Sequence, residues 1–315
     1  MSNTPIVFIH NGRSTNLLWA IYQAKHADPC APIFTIGDNQ RFSGLPVTPL
    51  AALADANLEK FKRVYRHMSS NSADFELTCY LRWFYLLQFM KLNALREVFH
   101  YDSDVLVYSK GEDIKTTLLE TGQECGLSIV RESCDDDRLG VACGHASYWT
   151  IGILEQFCDF CLETFTTENY LRQYERKIAW HQANKIEGGV VDMTTLFLFW
   201  QKNAQRITNF AAIRNGTVMD HNVNEPCNDG IVRYQKEGAY KKIQFACGAP
   251  FFTLENNTRV RAHAIHFQGA AKAVMKDYYR ASMFTGKLSV GIPLKLKALR
   301  SRAKKQARRL FGHER

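Results

Sequence analysis

The chain has 315 residues, 46% hydrophobic and 23% charged, with a formal net charge of +9 at pH 7; this is the profile of a globular protein with a sizeable core, in one large domain or two ordinary ones. No apolar run reaches the length of a membrane span, and "MSNTPIVFIHNG" lacks a basic segment leading into a signal-peptide core, so a cytoplasmic protein is expected. Nine scattered cysteines, an odd count, argue against a disulfide framework.

In chain order, "PIVFIH" reads as a buried strand, followed by the turn "NGRST" and an amphipathic helix from Ser14 to His26. "APIFTIG" is a second strand. Ser72 to Asn93 has helical length and leads into the strand "EVFHYD", after which "VLVY" is a strand, "GEDIKTTLLET" a helix and "CGLSIVRE" another strand. The second half opens on three helical patterns, "YWTIGILEQFCDFCLETF", "TENYLRQYERKIAWHQANK" and "VVDMTTLFLFWQKN". Cys158 and Cys161 in the first of these are read as helix-face residues rather than as a zinc or redox pair. Short strands follow: "RITNFAA", "GTVMD", "KKIQFACG", "PFFTL" and "RVRAHAIHF". Alternating strands and helices predict an α/β domain with a mainly parallel sheet and helices on both faces. With no repeat and no Pro- or Ser-rich linker, one domain over residues 1–286 is expected, followed by a tail over residues 287–315.

The charge sits in that tail. Residues 287–315 carry ten Lys/Arg and one acid, Glu314, which leaves 30 basic and 30 acidic residues in the body. A neutral body is not what a fold that binds nucleic acid shows, and no nucleic-acid partner is expected.

"VFHYDSDVLVY" delivers Asp102 and Asp104 to the carboxyl end of a strand, where ligands gather in open α/β sheets. In an extended segment the two share a side while Ser103 faces away. Like charges that close need a cation between them, and two carboxylates suit a hard divalent ion; an exposed Asp-Ser-Asp turn is the plain alternative. Further on, "AHAIHFQGAAKAVM" ends a strand on His266 and supplies Gly269 and Lys272. The imidazole suits a metal, the glycine lets backbone approach a phosphate, and the lysine adds positive charge.

Together "YDSD" and "HFQGAAK" resemble the DxD and HFxGxxK elements of GT-A nucleotide-sugar glycosyltransferases, in the family of glycogenin and the lipopolysaccharide galactosyltransferases. "CYLRWFYL" is similar to the helix ahead of DxD there, with Arg82 in the donor-reaching position, and "EGGVVDMTTL" stands where that family has an Asn-Ala-Gly-Val-type segment. The resemblance spans residues 5 to 275, without the family's Asn-Ala and without Pro-Trp after Lys272. It implies a GT-A (Rossmann-like) fold and a hexosyltransferase-type enzyme with a nucleotide-sugar donor, expected to be UDP-linked. It implies Mn²⁺ or Mg²⁺ on Asp102, Asp104 and His266, and diphosphate charge met by Arg82 and Lys272 as the bond to the sugar breaks. Ser103 and Gly269 complete that donor and cofactor set, with His10 and Asn11 against the base or ribose. The alternative for the "HNGRS" segment is a simple turn with Ser14 as helix cap.

On the acceptor side, two glycines precede Asp192, read as a general base or a donor-orienting group, with Glu187 as the competing carboxylate and a favourable helix N-terminal acid as the plain alternative. "ACGHASYWT" (His145, Trp149) and "MDHNVN" (Asp220, His221) are further sugar-contact candidates, and "CDDDRLG" reads as a solvated acidic loop. In the tail, Leu296, Leu299, Ala303, Ala307 and Leu310 fall on helical spacing among basic residues, which suits an anionic membrane surface, or else a disordered or nucleic-acid arm. The expected role is transfer to a glycan or lipid-linked glycan in surface polysaccharide biosynthesis, at the inner face of a membrane. Two rivals are a nucleotidyltransferase, against which the single glycine in "HNGRSTNLL" counts, and a non-enzymatic polyanion- or membrane-binding protein.

Overall fold

The computed structural model describes residues 3–38, 47–130 and 140–281. The first half comprises β1 (Ile6–Ile9), α1 (Thr15–Ala27), β2 (Ile33–Ile36), β3 (Val47–Thr48), α2 (Ala56–Val64), β4 (Met68–Ser69), α3 (Ala73–Leu92), β5 (Glu97–Tyr101), β6 (Val105–Val107), α4 (Gly111–Leu118) and β7 (Cys125–Val130). The second comprises β8 (Val141–Thr150), α5 (Ile151–Thr166), α6 (Glu168–Asn184), β9 (Gly189–Val190), α7 (Asp192–Lys202), β10 (Ile207–Asn209), β11 (Thr217–Met219), β12 (Lys236–Glu237), β13 (Tyr240–Lys241), β14 (Ile243–Ala246), β15 (Ala249–Thr253), β16 (Arg259–His266) and α8 (Met275–Tyr278). Helix starts follow their side-chain caps: Ser14 accepts from the Leu17 N–H, Asp55 from Leu58 and Ser72 from Phe75.

The fold is α/β, as expected. The central sheet runs β10-β7-β8-β5-β1-β2-β3 and is mainly parallel, with β8 antiparallel to both of its neighbours. Alternation along each strand feeds two cores. Val7 and Val98 face the one built with α2, α3, α5, α6 and α7, while Ile6, Phe8, Phe99 and Tyr101 face the other, built with α1 and α4. Strands from the second half complete that other face: β11-β16-β15-β14 form a second sheet, and β6 pairs antiparallel with β16. Helices on both faces are therefore joined on one of them by a sheet.

Among the strands and α-helices longer than five residues, two differ from the expectation. The helix read from Tyr148 begins at Ile151, and Tyr148, Trp149 and Thr150 end the ten-residue strand β8. Glycine and small polar residues hide that strand in the sequence, yet they are what the packing needs: a Cβ on Gly144 would sit 2.2 Å from the Trp83 ring. The short helix α2 was also not anticipated. The basic tail, and all of "CDDDRLG" except Gly140, lie outside the described residues.

Candidate active site

The apolar run of β5 ends at Asp102, whose N–H donates to the His145 carbonyl of β8 at 2.7 Å. The chain then turns, with the Val105 N–H donating back to the Asp102 carbonyl at 3.2 Å. Extended alternation is therefore not what pairs the doublet. A turn with half-buried Ser103 in its middle brings Asp102 and Asp104 close enough for one carboxylate to oppose ionisation of the other.

Positive charge comes first from α3. Arg82 Nη1 donates to both Asp102 oxygens at 3.1 and 3.3 Å, and Nη2 to Asp192 Oδ2 at 2.6 Å. Trp83 Nε1 donates to the same Asp192 oxygen at 3.2 Å. Arg82 Nε is buried and meets no partner among the described residues. Burial alone would raise the Asp102 carboxyl, but the Arg82 guanidinium together with His100 and His145 outweighs it and holds the group well below the usual carboxylate range. His100 Nε2 lies 3.3 Å from Asp102 Oδ1 without hydrogen-bond alignment, its Nδ1 donating to the Val7 carbonyl at 3.1 Å.

β16 brings the second set. Its register sets His266 opposite Val105, and the Phe267 N–H donates to the Asp104 carbonyl at 2.9 Å. His266 Nδ1 donates to the His221 carbonyl at 2.6 Å, which fixes the proton there and leaves Nε2 3.5 Å from Asp104 Oδ1. In the neutral ring that nitrogen is an acceptor facing an acceptor, an arrangement that suits a proton or a cation between them, and a ligating histidine is commonly fixed by just such a bond from its other nitrogen. Lys272 Nζ stands 3.0 Å from Asp104 Oδ2 with its side chain 51% exposed. Burial opposes ionisation of Asp104, but His266 and Lys272 lower its pKa. Among the described residues no three His, Cys, Asp or Glu side chains are gathered to hold a metal ion. Asp104 and His266 form the matched half of such a site, while Asp102, the third expected ligand, is held on Arg82.

Other candidates sort as follows. His10, at the end of β1, lies in the field of Asp102, Asp104 and Lys272, with burial lowering its pKa. Asn11 Oδ1 accepts from the Asp38 N–H at 3.3 Å, and Ser14 is indeed the α1 cap. Gly269 has φ +57° and open space where a Cβ would stand. Asp192 is the first residue of α7, 3% exposed and tied to Arg82, whereas Glu187 is exposed in the turn before β9. Gly188 and Gly189 answer to the protein's own packing: φ is +137° and +134°, and a Cβ on Gly189 would lie 2.3 Å from the Met68 carbonyl oxygen of β4. Trp149 is fully buried against Trp83, with ring centroids 5.2 Å apart, so the expected sugar stacking is corrected to a core contact.

Behind the doublet, two more of the expected sugar-contact residues, His145 and Asp220, are buried at 0% and 1% exposure and belong instead to an internal network. Asp220 Oδ2 accepts from the His266 N–H at 3.2 Å, and its Oδ1 takes Lys241 Nζ at 2.6 Å with both side chains fully buried. Lys241 also donates to Asn228 Oδ1 and to the Asn222 carbonyl. His145 Nε2 donates to the Asp220 carbonyl at 3.0 Å, and its ring stacks on His266 with centroids 4.0 Å apart. Glu76 on α3 is a further unanticipated carboxyl, buried, with its pKa raised by that burial and, in part, by Asp192.

No protein-family model matches the chain, and no curated protein matches it by sequence. Among solved structures, it is similar to the galactosyltransferase LgtC in complex with donor and acceptor sugar analogs, at 14% identity and TM-score 0.43, covering 94% of this chain and all of that one. It is also similar to mouse xyloside xylosyltransferase 1 in its apo form, at 9% identity and TM-score 0.41, over 70% of this chain and 87% of that chain. The apo bifunctional glycosyltransferase WbbM matches at 10% identity and TM-score 0.43, over 92% of this chain and 51% of that chain.

Proposed function

We propose that this chain is a metal-dependent glycosyltransferase that moves a sugar from a nucleotide-sugar donor, a UDP-sugar, to a glycan or lipid-linked glycan in surface polysaccharide biosynthesis. The observation that carries the proposal is the meeting of Asp104, His266 and Lys272 at the carboxyl end of β5, beside Arg82. Asp102, Asp104 and His266 would hold Mn²⁺ or Mg²⁺, which as a Lewis acid would neutralise charge on the departing diphosphate. Lys272 and Arg82 are the basic side chains within reach of that charge, and preorganised cations of this kind act where charge develops. His10 and Asn11, at the end of β1, border the side on which the nucleoside would lie. Asp192, fixed by Arg82 and Trp83, orients the donor sugar. The basic segment 287–315 would hold the enzyme to an anionic membrane surface carrying its acceptor. Among the described residues no helix is long and apolar enough to cross a membrane.

The test is calorimetric titration of UDP in the presence of Mn²⁺ into wild type and Asp104→Ala. A loss of at least about tenfold in affinity is expected for the variant, the usual range when metal-site contacts are removed. Equal affinity in the two proteins would refute the proposal. A panel of nucleotide sugars, scored for metal-dependent release of nucleoside diphosphate, then identifies the donor.

A further inference from the structure

We infer that cation and diphosphate enter this site by exchanging partners with ion pairs already formed in it, so that Arg82 and Lys272 guard the doublet against a lone cation; this rests on the function proposed above. Each carboxylate of the doublet is held by a different basic side chain: Asp102 by Arg82 at 3.1 Å, and Asp104 by Lys272 at 3.0 Å. These are the same two side chains assigned to the diphosphate. These four groups sum to zero charge, and Asp192 on the far side of Arg82 adds one negative charge. A divalent cation arriving alone must displace both basic side chains, leaving Lys272 without its partner and the largely buried Arg82 with Asp192 alone. A diphosphate arriving alone must draw them off and leave two carboxylates side by side without a counter-charge. When both arrive, every charge regains a partner: the cation takes the carboxylates, and the guanidinium and ammonium take phosphate oxygens.

The local geometry suits such an exchange. Asp192 holds Arg82 Nη2 at 2.6 Å and can keep it as a pivot while Nη1 changes partner. The buried Nε, which meets nothing among the described residues, is a donor in reserve for an incoming oxygen. Lys272 has a half-exposed side chain on the short 3-10 segment Gly269–Val274, which begins at the left-handed Gly269. Such a side chain can leave Asp104 with little loss of packing.

The test is the affinity for Mn²⁺ alone, read from the electron paramagnetic resonance signal of the free ion, in wild type, Arg82→Met and Lys272→Met. Thermal melts check folding, and the exposed Lys272 position keeps the test available if Arg82→Met does not fold. Removing a guard should tighten binding of Mn²⁺ alone by about five- to tenfold, within the usual range of coupling between sites, while weakening UDP in the presence of Mn²⁺. If the basic side chains merely support the doublet, both variants bind Mn²⁺ alone no better than wild type, and the exchange is overturned while the proposed function stands. A wild-type protein that takes up no Mn²⁺, with or without UDP, removes the proposed function and this inference with it.

Discussion

Lys177 is the buried charge with the plainest energetic consequence. It lies on α6, 6% exposed, and its ammonium donates to Thr194 Oγ1 on α7 at 2.9 Å. Burial lowers its pKa from 10.5 to about 8. At about 1.36 kcal/mol per pK unit, keeping that ammonium charged inside the fold costs about 3 kcal/mol at neutral pH. The sign follows from proton counts: between about pH 8 and 10.5 the unfolded chain holds a proton that the folded chain has lost, so stability rises with pH across that window. Below it both states are protonated and the cost is constant. Lys177→Met keeps most of the shape, removes the charge and gives up one hydrogen bond worth about 1 kcal/mol. The variant should therefore be about 2 kcal/mol more stable than wild type at pH 7, and most of that gap should close by pH 10. Urea unfolding followed by tryptophan fluorescence at both pH values measures it, and comparing two proteins at each pH cancels the titration of other groups. A variant less stable than wild type at pH 7, or a gap that does not change with pH, would refute the reasoning.

The opposite sign is expected for Lys241→Met, which leaves Asp220 buried without its counter-charge. Stability should fall by about 3–5 kcal/mol, and adding Asp220→Asn should restore part of it; a melt indistinguishable from wild type would show that the pair is not what holds this region together. For the basic segment, deletion of residues 287–315 should weaken binding to vesicles containing anionic lipid while leaving metal-dependent donor hydrolysis intact. Unchanged vesicle binding would dispose of the membrane role.

Much of the frame was legible because its elements announce themselves locally. Ser14 and Ser72 stand just ahead of helical patterns and do cap α1 and α3, and the apolar run of β5 ends where the acids begin. β8 was not legible, because Gly144, Ala146 and Ser147 break any apolar period, and only the Trp83 ring lying over Gly144 explains the choice. α2 carries a usable signal, Asp55 ahead of Leu58 and Phe61. Within the site, Asp104, His266 and Lys272 were readable as residue types in a pattern. The Arg82 bridge from Asp102 to Asp192 was not, since a side chain's partners across 110 positions of sequence depend on tertiary packing. Lys241 lay in a stretch read only as a strand, and burial opposite Asp220 is what makes it important.

β16 is the last strand of the described chain, and the doublet's imidazole and ammonium neighbours both come with it or just after it. A ribosome-bound chain that has emerged only as far as α7 would still lack β10, a parallel edge strand of the central sheet, and its acidic turn would have Arg82 but neither His266 nor Lys272. The imidazole and ammonium would then join the doublet late and together, when the final hairpin zips onto β6, so an incomplete translation product would carry the two acids without them.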